Sequence, residues 1–156
     1  MAPKGAPYSY SIPATFAVFS SLELRNVDTS LMYRSVIGIA RFDLITVKVA
    51  QIPGAVDAAN LASYMATDTA AWRDALTAEG AHVTLMPNTT VDGRPALKFT
   101  VSNLPSLPGS PPASALRIVA YDGRYGILIS CQWTRPKARS QILEGCDEVL
   151  ASMKLR

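Results

Sequence analysis

The strand–helix unit at the C-terminal end most constrains the fold of this chain, because both of its cysteines lie there. Apolar and polar residues alternate from Tyr125 to Thr134, which is typical of a β-strand with one covered face. Arg135-Pro136 ends this strand, and an amphipathic helix is predicted from about Lys137 to Lys154. The covered face of the strand consists of Tyr125, Ile127, Ile129, Cys131 and Trp133.

The second cysteine, Cys146, belongs to the apolar stripe of the predicted helix, with Ile142, Val149, Leu150 and Met153. Consecutive elements usually pack together, so both sulfur atoms are expected in one strand–helix interface. A Cys131–Cys146 disulfide would close a loop of about 15 residues and stabilise the fold by roughly 3 kcal/mol. It would also indicate an oxidising compartment. Two buried free thiols are the alternative interpretation.

The first half of the chain shows strand signals followed by one helix. The segment Leu44–Ile52 alternates with Ile45, Val47 and Val49 on one face, and Pro53-Gly54 is expected to end it. A helix is predicted over residues 57–79, capped by Asp57, restarted at Asp68 and stopped by Gly80. Earlier strand signals cover Tyr8–Ile12, Glu23–Val27 and Tyr33–Ala40.

The second half adds further strands before the closing unit. Asp92-Gly93 and Asp122-Gly123 both predict tight hairpin turns, and the Pro/Ser/Gly-rich residues 102–114 predict a long loop. The strands are predicted at His82–Met86, Thr90–Val91, Ala96–Val101 and Leu116–Tyr121. This order of elements indicates an α+β fold with a central antiparallel β-sheet flanked by two helices. We expect a flexible leader at residues 1–7 and a single domain at residues 8–156.

The inventory of reactive side chains argues against several functional classes. A formal net charge of +3 falls well short of the charge of a nucleic-acid-binding domain. His82 is the single histidine, and nucleophile-elbow, phosphate-loop and dinucleotide-binding motifs are missing. We therefore expect no catalytic residues, no metal site, no cofactor and no nucleic-acid partner.

Two sets of residues are candidates for binding. Tyr64, Met65 and Trp72 are the bulkiest residues of the first helix, and they are either core or the wall of a groove for an acyl chain or a partner's apolar segment. Lys48, Lys98 and Arg117 occupy polar strand positions. On neighbouring strands these three would form a basic patch for anionic lipid headgroups, a sugar acid or an acidic protein surface. An ordinary solvated sheet face is the alternative.

Several local phrases resemble those of small actinobacterial lipoproteins of the LpqN type, which share the PsbP/Mog fold. They are Ser11-Ile12-Pro13-Ala14-Thr15-Phe16, Thr90-Val91-Asp92-Gly93-Arg94-Pro95-Ala96, Ile127-Leu128-Ile129-Ser130-Cys131 and Val149-Leu150-Ala151-Ser152-Met153. The resemblance covers about residues 8–155 in element order. It implies an α/β/α sandwich and a non-enzymatic role in the cell envelope, as an exported or lipid-anchored binding module. It carries over no catalytic residues.

The sequence therefore predicts a non-catalytic binding or adaptor domain of the cell envelope. Its partner would be a lipid, a glycolipid or an envelope protein, with peripheral membrane association through a lipid anchor outside this sequence. A cytoplasmic chaperone or assembly factor that binds a client's apolar segment is the alternative, because no export signal is seen before Tyr8. A monomer is expected over a dimer.

Overall fold

The structure of this chain is a computed structural model that describes residues 1–23, 31–104 and 111–156. Two helices, α1 (Leu61–Ala78) and α2 (Arg139–Ser152), flank an antiparallel sheet of six described strands. A separate short sheet pairs β1 (Tyr8–Ser9) with β8 (Lys154–Leu155). Across the main sheet the strands lie in the order β2 (Ala17–Glu23), β3 (Leu31–Ala40), β4 (Asp43–Val56), β7 (Ala113–Trp133), β6 (Arg94–Leu104) and β5 (His82–Val91).

The long strand β7 connects the two halves of the sheet. Its first half pairs with β6, where Ala120 lies opposite Ala96, and its second half pairs with β4, where Cys131 lies opposite Ile45. Ile118 and Ile127 belong to the same buried cluster although one position is even and the other odd. Because side chains alternate between faces along a strand, β7 must change its alternation between these two residues.

The two Asp-Gly pairs of the sequence therefore have different structures. Asp92 and Gly93 both have positive φ, 49° and 78°, and form the predicted two-residue hairpin turn between β5 and β6. The prediction of a second hairpin turn at Asp122-Gly123 is wrong. Strand β7 runs straight through this pair, and Gly123 has a φ of 57° at the point where the alternation changes.

Each face of the sheet carries one helix and one core. The α2 face buries Ile142, Cys146 and Val149 against the second half of β7 and the adjacent β4. The predicted disulfide between Cys131 and Cys146 is formed, with 6.0 Å between the two Cα atoms. The α1 face buries Met65 and Leu76 of α1 with Leu97, Phe99, Val101, Val119 and Tyr121 of the sheet. The predicted α+β class with helices on both faces is confirmed.

Several predicted element boundaries are corrected by the structure. The helix begins at Leu61, while Asp57 accepts hydrogen bonds from the backbone N–H groups of Ala59 and Asn60 before it. Strand β4 continues past Pro53-Gly54 to Val56, with a register shift that absorbs the interruption. The strands predicted at residues 82–86 and 90–91 form the single strand β5, which has a register shift between Met86 and Thr89.

The remaining differences concern the loops and the ends. Strand β6 extends to Leu104 and β7 starts at Ala113, so the rest of the loop predicted at residues 102–114 lies largely outside the described residues. Of the strand predicted at residues 23–27, only Glu23 is described, and it ends β2. Helix α2 ends at Ser152, not at Lys154, because the chain then extends into β8.

The N-terminal segment packs against the domain. Residues 1–7 were predicted to be a flexible leader, but Pro3 and Ala6 are buried, and the backbone N–H of Arg156 donates to the carbonyl oxygen of Pro7. The buried hydroxyls of Tyr8 and Tyr10 lie 2.9 and 3.0 Å from Oγ of Ser35. Within the described part of the chain, no helix is both long and apolar enough to cross a membrane.

The disulfide leads to a first prediction. Denatured protein that has not been reduced should show no titratable thiol, because both cysteines are oxidised. The double variant Cys131→Ala/Cys146→Ala should lose about 3 kcal/mol of unfolding free energy, because its unfolded chain regains the conformational entropy that the closed loop had removed. Thiol titration and chemical denaturation measure the two effects. Two thiols in the unreduced protein would contradict the bond.

A second prediction concerns Gly145, which lies in the middle of α2. A Cβ atom added there would lie 2.5 Å from Cζ and 2.6 Å from Cε2 of the buried Phe16. Gly→Ala normally stabilises a helix interior by about 0.5–1 kcal/mol, but overpacking here should reverse the sign and cost about 1–3 kcal/mol. Chemical denaturation of Gly145→Ala measures the change.

The matched control for this prediction is Gly145→Ala made in a Phe16→Leu background. The smaller side chain at position 16 leaves room for the added methyl group, so the same substitution should be neutral or stabilising there. A stabilised Gly145→Ala in the otherwise unchanged chain would show that Phe16 does not restrict this position.

Candidate functional site

The candidate site is a cavity of about 290 Å³ between α1 and the sheet. Tyr64 and Trp72 of α1 form one wall, and Leu128 of β7 and Ala50 of β4 contribute to the opposite side. The eleven lining residues are Leu31, Lys48, Ala50, Ile52, Tyr64, Asp68, Trp72, Val119, Tyr121, Gly126 and Leu128. Most of them are apolar or aromatic, which is the usual composition of a small-molecule site.

The wall of this cavity follows from the spacing of residues in α1. Tyr64, Asp68 and Trp72 are four residues apart, so they lie one above the other on one side of the helix. The ring of Tyr64 packs edge-on against Tyr121, with 5.3 Å between centroids. The ring of Trp72 packs against Phe99 at 6.1 Å. These contacts hold the helix against the first half of β7 and against β6.

Asp68 is the polar centre of the cavity. Its Oδ2 accepts hydrogen bonds from Nε1 of Trp72, at 3.1 Å, and from the hydroxyl of Tyr121. The sequence predicted Asp68 as the start of a new helix, which is wrong: the residue lies inside the continuous helix α1. A carboxylate at this position fixes the orientation of two aromatic side chains that line the cavity.

The tyrosines beside Asp68 are held in their neutral form. Burial raises the pKa of Tyr121 well above its ordinary value, and the hydrogen bond to Asp68 and its negative charge raise it further. Burial also raises the pKa of Tyr64, with a smaller contribution from the charge of Asp68. Both hydroxyls therefore stay protonated over the physiological pH range, and Tyr121 acts as a hydrogen-bond donor.

Three cations lie along the same side of the sheet. Arg34 of β3 lies directly opposite Lys48 of β4, so both side chains project from the face that carries α1. The guanidinium of Arg117 lies 5.7 Å from the ring centroid of Trp72. Although Lys48 is exposed, partial desolvation lowers its pKa, and the charges of Arg34 and Arg117 lower it further. We call Arg34, Lys48 and Arg117 the basic cluster.

The structure separates the residues of the predicted basic patch. Lys48 and Arg117 are close enough to influence each other, but Lys98 lies opposite Ile118, which belongs to the core of the α2 face. Lys98 is therefore on the other side of the sheet, because β6 is phased so that Leu97 and Phe99 face α1. The third cation of the basic cluster is Arg34, and not Lys98 as the sequence predicted.

The predicted groove residues also divide between two places. Tyr64 and Trp72 line the cavity and are also packed against the core of the α1 face. Met65 is 6% exposed and belongs to the core, and it borders a separate, open groove of about 410 Å³ formed with Leu61, Ala62 and Leu97. Neither Tyr121 nor the role of Asp68 was predicted from the sequence, although the four-residue spacing of Tyr64, Asp68 and Trp72 in α1 is a signal that could have identified Asp68.

The cavity has few groups that could do chemistry. None of its described lining residues is Ser, Thr, Cys or His, and its carboxylate is engaged by two donors. His82 is exposed at the start of the edge strand β5. Among the described residues, no group of three or more His, Cys, Asp or Glu side chains is arranged to hold a metal ion. The arrangement is suited to holding an apolar group beside a positive charge.

The architecture can be compared with that of known proteins. The solution structure of cyanobacterial PsbP (CyanoP) from Synechocystis sp. PCC 6803 matches over 100% of this chain and 91% of that chain, with a TM-score of 0.60. The chain has a PsbP-like fold. The two sequences are 15% identical, so the likeness concerns the fold alone. No family model and no curated protein matches this sequence.

The buried tyrosines of this PsbP-like domain lead to a third prediction, on alkaline stability. A tyrosine whose pKa is raised on folding stabilises the protein fully below the unfolded pKa of about 10, and this contribution is lost as the pH rises toward the folded pKa. Unfolding free energy should therefore fall above about pH 10, by up to about 1.4 kcal/mol per pH unit for Tyr121 alone.

Tyr121→Phe tests this contribution. The variant should be about 1 kcal/mol less stable at neutral pH, because Asp68 loses a donor. Above about pH 10 its stability should decline less steeply than that of the parent, because one perturbed phenol is gone. Denaturant unfolding at a series of pH values measures both slopes. Equal slopes for the two proteins would show that Tyr121 titrates normally.

Proposed function

We propose that this chain is a non-catalytic binding domain that holds the apolar part of a lipid-like ligand in the cavity between α1 and the sheet. The observation that carries the proposal is the cavity itself, with its aromatic wall of Tyr64 and Trp72 and its apolar floor. At about 290 Å³ it is close to the lower end of ligand pockets, so it suits one short acyl segment and not a whole lipid.

The lining supports binding over catalysis. The described lining residues include no hydroxyl, thiol or imidazole nucleophile apart from the phenols, and Tyr121 is committed to Asp68. A general base would need a free carboxylate or imidazole close to a substrate. The cavity instead offers a rigid aromatic surface and a lysine.

The disulfide supports an oxidising compartment for this domain. Such bonds persist in exported proteins and are rare in the cytoplasm. Together with the resemblance to LpqN-type lipoproteins, this favours a domain of the cell envelope whose partner is a lipid, a glycolipid or an envelope protein. A cytoplasmic chaperone that holds a client's apolar segment would use the same cavity, and fractionation of the native cell distinguishes the two.

A fourth prediction tests the cavity with 1-octanol as an uncharged probe. In a Trp133→Phe background, Trp72 is the remaining tryptophan and reports on the cavity that it lines. Octanol should change its fluorescence saturably. Ala50→Leu should fill part of the cavity and weaken octanol binding by about tenfold or more, because the displaced volume is lost to the ligand.

The matched control is Ala62→Leu, the same change at an exposed position of α1 that borders the other groove. It should leave octanol binding unchanged. Absence of a saturable change with octanol or octanoate would contradict the proposed function. Equal weakening by both Ala→Leu substitutions would show that the probe binds elsewhere.

A further inference from the structure

From the charges around the cavity, we infer that its ligand is an anionic amphiphile, with an acyl segment in the cavity and a carboxylate or phosphate group at Lys48. This inference rests on the proposed function and specifies the ligand class. It depends on two features: the placement of Lys48 in an apolar lining and the absence, among the described residues, of an ion pair to Lys48.

Lys48 is unusual for its position in the sheet. It lines the cavity between apolar residues, with Leu128 directly opposite on β7 and Arg34 directly opposite on β3. Like charges that lie directly opposite each other on neighbouring strands are destabilising. Among the described residues Lys48 forms no ion pair or side-chain hydrogen bond. Its ammonium group is therefore free for a ligand.

Arg117 extends the positive charge toward α1. Its guanidinium lies against the ring of Trp72, and its buried Nε atom has no hydrogen-bond partner in the described part of the chain. A buried donor without a partner costs about 1–3 kcal/mol, more when the group is charged. Glu79 influences Arg117 electrostatically but forms no ion pair with it among the described residues.

In the described part of the chain, the carboxylate inside the cavity forms no ion pair with the basic cluster. Oδ2 of Asp68 accepts hydrogen bonds from Trp72 and Tyr121, and, besides burial, its charge raises the pKa of Tyr64 and Tyr121. Besides desolvation, the charges that shift the pKa of Lys48 are those of Arg34 and Arg117, and both are positive. Lys48 therefore lines an apolar space, with Arg34 directly opposite it on β3 and Arg117 against Trp72 of the cavity wall. A ligand that brings an acidic group to Lys48 would relieve the repulsion between Arg34 and Lys48 and would place its tail in the cavity.

The test compares octanoate with 1-octanol, which have chains of the same length and differ in charge. At about pH 7.5 the carboxylate is ionised. In the Trp133→Phe background, octanoate should bind at least about tenfold more tightly than octanol. Added salt should lower the affinity for octanoate and leave the affinity for octanol unchanged.

Lys48→Met removes the charge and retains the apolar stem. This substitution should lower the affinity for octanoate by about tenfold and leave the affinity for octanol the same or higher. Lys98→Met is the matched control, because Lys98 lies on the other side of the sheet. It should change the affinity for neither probe. Acetate, which lacks the tail, should not bind at comparable concentration.

A second measurement needs no ligand. Because Lys48 opposes Arg34 across the strands, Lys48→Met should raise the melting temperature of the free protein, and Lys98→Met should not. A lower melting temperature for Lys48→Met would mean that its charge is compensated and would contradict the inference.

The outcomes separate the two proposals. If octanol and octanoate bind equally in the parent, or Lys48→Met weakens both equally, the inference of an anionic ligand fails and the cavity remains a binding site. If neither probe binds, the proposed function itself fails. Octanoate binding that requires Lys98 would place the anion on the wrong face and overturn the inference.

Discussion

The change of alternation in the middle of β7 is the constraint on which both cores depend. Before Gly123 the even positions of the strand face α2, and after it the odd positions do, so Ile118 and Ile127 enter the same core. Without this change, one half of the strand would present its apolar side chains to the wrong helix. The disulfide with α2 and the Tyr121 contact with Asp68 both depend on the phase of the same strand.

The cavity exists because α1 covers only part of its face. The helix packs on β5 and β6, where Phe99 contacts Trp72, and leaves the part of the sheet containing β3 and β4 more open. Lys48 lies at the boundary between the covered and open regions, lining the cavity while remaining exposed. Asp68 holds Trp72 and Tyr121 in place on the covered side. The site thus combines a fixed aromatic wall with an exposed lysine.

Sequence reasoning located the elements that follow a simple period. The alternation in residues 125–134 and the apolar stripe around Cys146 predicted the closing unit, and the structure confirms both and the bond between them. It failed at Asp122-Gly123, because an Asp-Gly pair suits a bulge as well as a hairpin turn. Only pairing with β4 and β6 decides between the two.

The candidate site was harder to predict, because its members come from strands that are distant in sequence. Tyr64 and Trp72 could be found from α1 alone, but Arg34 joins Lys48 only through the register of β3 on β4. Lys98 was misassigned for the same reason: the face of a residue depends on the phase of its own strand. Tyr121 was part of a predicted strand, and its link to Asp68 spans 53 positions.

The pairing of β1 with β8 has a consequence for how this domain could be rearranged. Tyr8 lies opposite Leu155, and the N–H of Arg156 bonds to Pro7, so the two ends of the domain are neighbours. A short peptide joining them would span little distance. The Asp92-Gly93 turn is part of this junction, because Asp92 accepts hydrogen bonds from Nζ of Lys154 and from the N–H of Leu155. A circular permutant joined here and opened at a turn other than Asp92-Gly93 would retain the pairing of β1 with β8.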